Sequence, residues 1–253
     1  MGFLFRPKEL PRPASLTFTL DQAGHTYDDG HVGLAPTDIT ISELRVAVIG
    51  LNGAGKSTLL GLLDGSLKAN AGTVTIAGGE ERLDPAVKKD AKRIDNLVGK
   101  VRREEIPNSF YQAANISEAV SEALKKHKVP ESERHARIGN LFAQVSKAKA
   151  SELDSEKRHL LAIAAALSFE PSAIVADEPS KGLDEIGAAH VAKALFSYNK
   201  QVIFATHDTD MIRRPEYAID RVLVLDEHAV AFDGAPAEAV AFYEDLIRRK
   251  YEA

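Results

Sequence analysis

Cysteine is missing from all 253 residues of the chain, which rules out disulfides, thiolate zinc sites and thiol nucleophiles. The absence is compatible with a reducing cytoplasm. Long apolar runs are missing as well. The longest, LLAIAAALSF (160–169), is only about half of what a bilayer-spanning helix needs. Nor is there a surplus of positive charge: 32 Lys and Arg stand against 37 Asp and Glu, a net charge of −5. With no dense basic cluster either, nucleic acid is not an expected partner. The stretch MGFLFRPKELPRPASL (1–16) is interrupted by Pro7, Pro11 and Pro13 before a signal-length apolar core appears, so it reads as a tail. No internal repeat and no long low-complexity linker is visible.

What is present is ordinary for a soluble globular domain: 44% apolar and 27% charged residues, on a chain long enough to bury a core. LTFTL (16–20), VGLAPTDITI (32–41) and TVTIAG (73–78) alternate or are rich in β-branched residues, as strands of an antiparallel layer are. RVAVIG (45–50), SAIVAD (172–177) and QVIFAT (201–206) are compact apolar runs, the pattern of parallel strands covered on both faces. Helical patterns run through STLLGLLDGSL, ISEAVSEALKKH, ESERHARIGNLFAQVSKA and RHLLAIAAALSF. RVLVLDEHAVAFDG reads as a hairpin and EAVAFYEDLIRRKY as a closing amphipathic helix. Residues 104–157 are charged, mostly helical and without a convincing strand, which marks an inserted helical subdomain within a single domain spanning 1–253. The fold class is α/β.

Three short segments carry chemistry. GLNGAGKST (50–58) follows the strand RVAVI and opens a helix pattern, the context that G-x-x-x-x-G-K-[ST] requires. Gly53 and Gly55 let the backbone N–H groups converge on phosphate oxygens, and the helix N-terminus adds partial positive charge. Lys56 reaches the β- and γ-phosphates, and Ser57 offers a hydroxyl to Mg²⁺. AIVADEPSKGLD (173–184) ends an apolar strand in two carboxylates. Asp177 is placed to hold Mg²⁺, and Glu178 to orient or deprotonate an attacking water. FATHD (204–208) sets His207 just past another buried strand, where ligands collect in doubly wound sheets.

In that order the three segments resemble the nucleotide-binding subunit of an ABC (ATP-binding cassette) transporter, and the resemblance covers nearly the whole chain. It implies a P-loop NTPase core with a mostly parallel sheet, an N-terminal antiparallel β layer and the helical insert. It also implies ATP held by Tyr27, Gly50, Asn52, Gly53, Ala54, Gly55, Lys56, Ser57 and Thr58, with Tyr27 stacking on adenine. Mg²⁺ would be bound by Ser57 and Asp177, and catalysis carried by Lys56, Glu178 and His207. SKGLD (180–184) looks like the family's D-loop, with Asp184 facing the other subunit. Members work as head-to-tail dimers on a membrane transporter subunit, which would place this chain in the cytoplasm, peripheral on the inner face of the membrane. YDDG and the ending AFDGAPAEAVAFYEDL resemble the ATPases of energy-coupling factor transporters, which take up vitamins or transition-metal ions.

Two stretches depart from the family pattern. VGKVRR places Arg103 where the family has the Q-loop glutamine, and an arginine offers only donors, so it cannot ligate Mg²⁺. It either touches phosphate or lies in solvent, and Gln112 is an alternative glutamine in a longer loop. LDSEK (153–157) lies over the signature LSGGQ, which holds the opposite subunit's γ-phosphate. Asp154 replaces the serine, and Ser155 and Glu156 replace the glycines. A carboxylate about 4 Å from a phosphate charge costs on the order of 4 kcal/mol at an effective dielectric of about 20, which Lys157 offsets in part. Asp154 or Ser155 is also a fitting N-cap for the helix that follows. Intact ATP motifs beside a glycine-free signature favour a heterodimer with a second ABC ATPase subunit over a homodimer. Competing readings are a soluble ABC ATPase of the iron–sulfur assembly type and a regulatory nucleotide-binding subunit with little turnover. The absence of a long coiled coil argues against the DNA-repair members.

Overall fold

A computed structural model describes residues 15–79, 81–102, 105–142 and 145–252. Most of the N-terminal tail and Arg103, with its phosphate-or-solvent alternative, lie outside the described residues. In chain order the elements are β1 (Thr17–Thr26), β2 (Val32–Ile41), β3 (Arg45–Gly50), α1 (Lys56–Leu63), β4 (Ala71–Gly78) and β5 (Glu81–Leu83). There follow α2 (Lys88–Leu97), β6 (Val98–Arg102), α3 (Asn108–Gln112), α4 (Ile116–Lys126), α5 (Glu131–Phe142) and α6 (Ser155–Leu167). The rest is β7 (Ala173–Asp177), α7 (Glu185–Phe196), β8 (Gln201–Ala205), α8 (Thr209–Arg213), β9 (Arg221–Asp226), β10 (Ala229–Gly234) and α9 (Pro236–Glu252).

The strands form two layers, as their sequence patterns predict. β2-β1-β4-β5 is an antiparallel sheet, and β10-β9-β3-β8-β7-β6 is parallel except for the β9–β10 hairpin. In β1, Phe18 and Leu20 turn inward while Thr17 and Thr19 stay partly exposed. Where β2 carries Pro36 it cannot donate to the ladder, and the β1–β2 register shifts between Ala23–Thr37 and His25–Leu34. β3 and β8 are buried along their whole length, because helices or the other sheet cover both faces.

Helix α1 lies between the two sheets. It packs against β7 and β8 on one side and β2 and β4 on the other, and Leu59, Leu60, Leu62 and Leu63 are all fully buried. A helix apolar on every face belongs in an interior, and each such leucine contributes roughly 1.5–3 kcal/mol by leaving water. The helix pattern read over 57–67 stops earlier, at Leu63. Asp64 is fully buried and accepts the Ser66 N–H (2.8 Å) and the Arg102 guanidinium, and Gly65 takes a left-handed φ of 72°. These contacts end the helix and tie it to β6.

Between β6 and α6 the described residues carry α3, α4 and α5 and no strand beyond an isolated bridge from Arg102 to Glu105. The helical pattern at 131–148 is also longer than the helix, since 145–149 fold into turns in which Val145 N–H donates to Phe142 O (3.0 Å). Helix α6 begins at Ser155, so a boundary at 157 falls inside it. Helices α2, α7 and α8 have no counterpart in the sequence reading. In α7 the apolar period is diluted by Gly187, Ala188 and Ala189. Among the described residues no helix is long and apolar enough to cross a membrane.

The position of α1 generates a stability prediction. Leu60→Ala removes a fully buried side chain from a helix clamped on two sides, and the unfolding free energy in a urea titration should fall by about 2–5 kcal/mol.

Candidate active site

Strand order brings the three chemical segments together. β8 lies between β3 and β7, and the register sets Val48 beside Ala205 and Ala205 beside Asp177. The strands are parallel, so the loops that follow leave from one edge of the sheet. Thr206 N–H donates to Val48 O and Glu178 N–H to Ala205 O, each at 3.1 Å, and these bonds fix the spacing of the loops just beyond the strands.

A cleft of about 270 Å³ opens at this edge. Asn52, Gly53, Gly55, Lys56, Ser57 and Thr58 line one side, with Tyr27 at the mouth and Glu178 opposite. Gly50 and Ala54 do not line it; they shape it from behind. A Cβ on Gly50 would lie 2.4 Å from Leu225 O, and Ala54 is buried. Gly53 and Gly55 have φ of 82° and 101°, values that L side chains adopt only with strain, and Gly55 is also the N-cap of α1. The Lys56 ammonium donates to Gly50 O (2.8 Å) and Leu51 O (3.0 Å), spanning the loop. Burial holds its pKa below that of an ordinary lysine, against the opposing charges of Glu178 and Asp177.

Glu178 turns sharply out of β7, with φ of 52°. Such a backbone conformation in a non-glycine residue is strained and is characteristic of functional positions. Its buried carboxylate lies 2.7 Å from His207 Nε2, whose imidazole is more exposed. A carboxylate held by an imidazole at a phosphate-binding edge can accept a proton from water and keep its orientation while doing so. Asp177 does not line the cleft, yet its Oδ1 is a buried acceptor with no hydrogen-bond partner among the described residues. A buried carboxylate oxygen needs a cation or a donor, and a carboxylate and the hydroxyl of Ser57, which lines the cleft, are the oxygen ligands that suit a hard divalent ion. No cluster of three His, Cys, Asp or Glu side chains stands ready among the described residues.

At the rim, the Tyr27 hydroxyl is 3.0 Å from Thr58 Oγ1. Its ring meets His25 edge-on (4.7 Å between centroids) and runs nearly parallel to His31 (6.2 Å). Sequence motifs pass over three residues here: His31, Gly33 and Lys181, all lining the cleft. Gly33 carries a readable constraint only in three dimensions, since a Cβ there would lie 2.6 Å from the Tyr27 ring and 2.8 Å from Thr58 Oγ1. Lys181 sits inside SKGLD without a role of its own in that motif.

The other motif residues lie apart from the cleft. Gln112 is exposed at the end of α3. Asp184 caps α7, accepting from Gly187 N–H at 2.8 Å. Asp154, rather than Ser155, caps α6: its carboxylate accepts from Lys157 N–H (2.8 Å) and pairs with Lys157 Nζ (2.6 Å). Hydrogen bonding to Lys157 holds this exposed carboxyl below the usual aspartate pKa, so it stays charged. The Glu156 carboxylate, beside it, contacts His190 Nδ1 at 2.8 Å.

Comparison with known proteins gives a consistent set of likenesses. A family model described as "ABC transporter" matches residues 37–181. The energy-coupling factor transporter ATP-binding protein EcfA2 of Clostridium perfringens is 30% identical over 243 residues, covering 91% of this chain and 81% of the relative. The structure of CbiO1 from Clostridium perfringens, described as part of the ABC transporter complex cbiONQ, has a TM-score of 0.74 at 28% identity, over 94% of each chain. The ATP-binding cassette MJ0796, solved as a dimer bound to ADP and Pi, shares the fold with a TM-score of 0.70 at 23% identity, over 87% of this chain and 98% of that one.

The two loop glycines should respond differently to the same substitution. Gly53→Ala meets nothing within 4 Å and carries only the left-handed backbone penalty, about 1–2 kcal/mol. In Gly55→Ala the new Cβ would lie 2.5 Å from Gly33 O, which adds roughly a further 1–3 kcal/mol of overpacking. Chemical denaturation of the two variants should therefore rank them, with Gly55→Ala the less stable.

Proposed function

The chain belongs to the family of ABC transporter ATP-binding proteins, and from that premise we propose that it energises uptake of a vitamin or a transition-metal ion by a membrane partner. As an ATPase of this family it acts on ATP. The observation that carries the assignment of its chemistry is the meeting, at one sheet edge, of the Lys56 loop with the Glu178–His207 pair at 2.7 Å. In this reading Lys56 and the loop N–H groups hold the β- and γ-phosphates, and Tyr27 faces the base. Glu178 accepts the proton of the attacking water, with His207 fixing its carboxylate and reaching the terminal phosphate. Ser57 and Asp177 are the residues that would hold Mg²⁺, which neutralises phosphate charge when bound. The transporter type is supported by the likeness to EcfA2 and CbiO1, named for an energy-coupling factor transporter and the complex cbiONQ, and the solute class is what that type implies.

We further read residues 104–157 as a helical subdomain inserted in the ATPase domain, and the working unit as a heterodimer on the inner face of the membrane. The N-terminus of α6 supports the second point. The Asp154 carboxylate already supplies the negative charge that this helix end attracts, with Lys157 Nζ paired to it, so a phosphate from a facing subunit meets an occupied cap and a second carboxylate, Glu156. A partner with glycines at that position would complete the site built on Lys56, Glu178 and His207. The altered helix end also favours, as a second reading, a regulatory subunit with little turnover of its own.

Steady-state hydrolysis separates these readings. The purified chain alone should turn over slowly, and addition of a partner subunit with a glycine-bearing signature should raise the rate by at least about tenfold. Glu178→Gln should then lower that rate by roughly 10²–10⁴. Replacing Asp154, Ser155 and Glu156 by Ser, Gly and Gly should raise the activity of the self-paired chain. Brisk hydrolysis by the unmodified homodimer would overturn the heterodimer, and no stimulation by partners together with no loss in Glu178→Gln would favour the regulatory subunit. An integral membrane protein should copurify with the chain from its native membrane.

A further inference from the structure

Lys181 lines the same cleft as Lys56 and Glu178 but has no part in the chemistry assigned so far. Its Nζ lies 3.5 Å from His207 Nε2, the nitrogen that is 2.7 Å from Glu178 Oε1. A ring nitrogen carries either a proton or a lone pair. When the shorter contact uses the Nε2 proton to reach Glu178, no lone pair remains on that nitrogen for Lys181 to donate into. The backbone nevertheless holds the lysine in place: its N–H donates to Glu178 O (3.1 Å), and Gly182 turns the chain with φ of 88°. The two ammonium groups feel each other as well. Both line the cleft, and Glu178 is the one carboxylate among the described residues that lines it with them. Two cations beside one carboxylate leave an excess of positive charge that an added anion relieves.

We infer that Lys181 is a further phosphate-binding residue, whose ammonium turns from His207 to the terminal phosphate oxygens of bound ATP. The inference rests on the ATP reading of the cleft. Lys181 is exposed, and its flexible four-carbon stem with three rotatable donors permits the shift without movement of the backbone. The contact is made by the same chain that holds the nucleotide, so it is independent of the partner's signature helix. It adds positive charge beside the γ-phosphate, the charge that the Asp154-capped end of α6 does not lend across a dimer. ADP has no γ-phosphate, so the contact discriminates between the two nucleotides.

Calorimetric titration of the full-length chain with Mg²⁺ and either the β,γ-imido analogue of ATP or ADP tests this. In Lys181→Ala the affinity for the imido analogue should drop about tenfold, the loss of one charge-assisted hydrogen bond, while ADP binding stays within about twofold. Lys181→Arg should keep the analogue's affinity within about threefold of the parent, because the guanidinium also donates to phosphate. Unchanged binding of the analogue in Lys181→Ala, equal weakening of both nucleotides, or an arginine variant as weak as alanine overturns the role of Lys181. Should Lys181→Ala fail to fold, Lys181→Gln is read against the same outcomes. A parent chain that binds neither nucleotide overturns the ATP reading itself, a result distinct from these.

Discussion

Past Ser57, helix α1 has no face left for water, and the site depends on that. Its leucines are clamped between an antiparallel and a parallel sheet, and its first residue is Lys56. The loop ahead of it therefore cannot move without disturbing both layers of the core. A phosphate-binding loop needs such a mounting, because its N–H groups must point at oxygens within a few tenths of an ångström. The same clamp explains why Gly33 and Gly55 approach so closely: the β2 backbone lies directly over the loop it covers.

The charges at the sheet edge are arranged around a ligand. Lys56 is buried and spans loop carbonyls, Glu178 is buried against His207, and Asp177 keeps inside the protein an oxygen with no partner among the described residues. A fold selected for stability alone would have little use for a buried lone acceptor or a strained glutamate backbone. Both are intelligible where a hard cation and a polyanion complete the set. Elsewhere the same type of interaction is purely structural. Asp64 is as deeply buried as any of these groups, but Arg102 and the Ser66 N–H satisfy it, and it serves to end a helix.

At the end of α6 one residue type serves folding, and in the proposed dimer it does so at the expense of a shared site. Asp154 is a good N-cap by ordinary helix chemistry, satisfying an N–H that would otherwise be orphaned. A glycine-rich turn leaves those donors open for an incoming anion. In the proposed dimer the chain gains a self-sufficient helix start and gives up a phosphate cradle, while its own phosphate-binding loop is a separate segment of the chain.

Much of this was legible in the residues alone. Strand, glycine-rich turn and helix are encoded within about a dozen neighbouring positions, so GLNGAGKST could be placed, and its role assigned, without knowledge of anything distant. The two layers, the hairpin of β9 and β10 and the α/β class follow from periods of apolar residues in the same local way. Helix α7 was hidden because small residues blur its period, and the early ends of α1 and α5 because turn contacts compete with helix propensity. Tertiary structure alone decided that β8 stands between β3 and β7, and with it that Glu178 meets His207 and that Lys181 shares their cleft. Sheet order and strand register join residues far apart in the chain through hydrogen bonds and burial, and no local pattern carries that information.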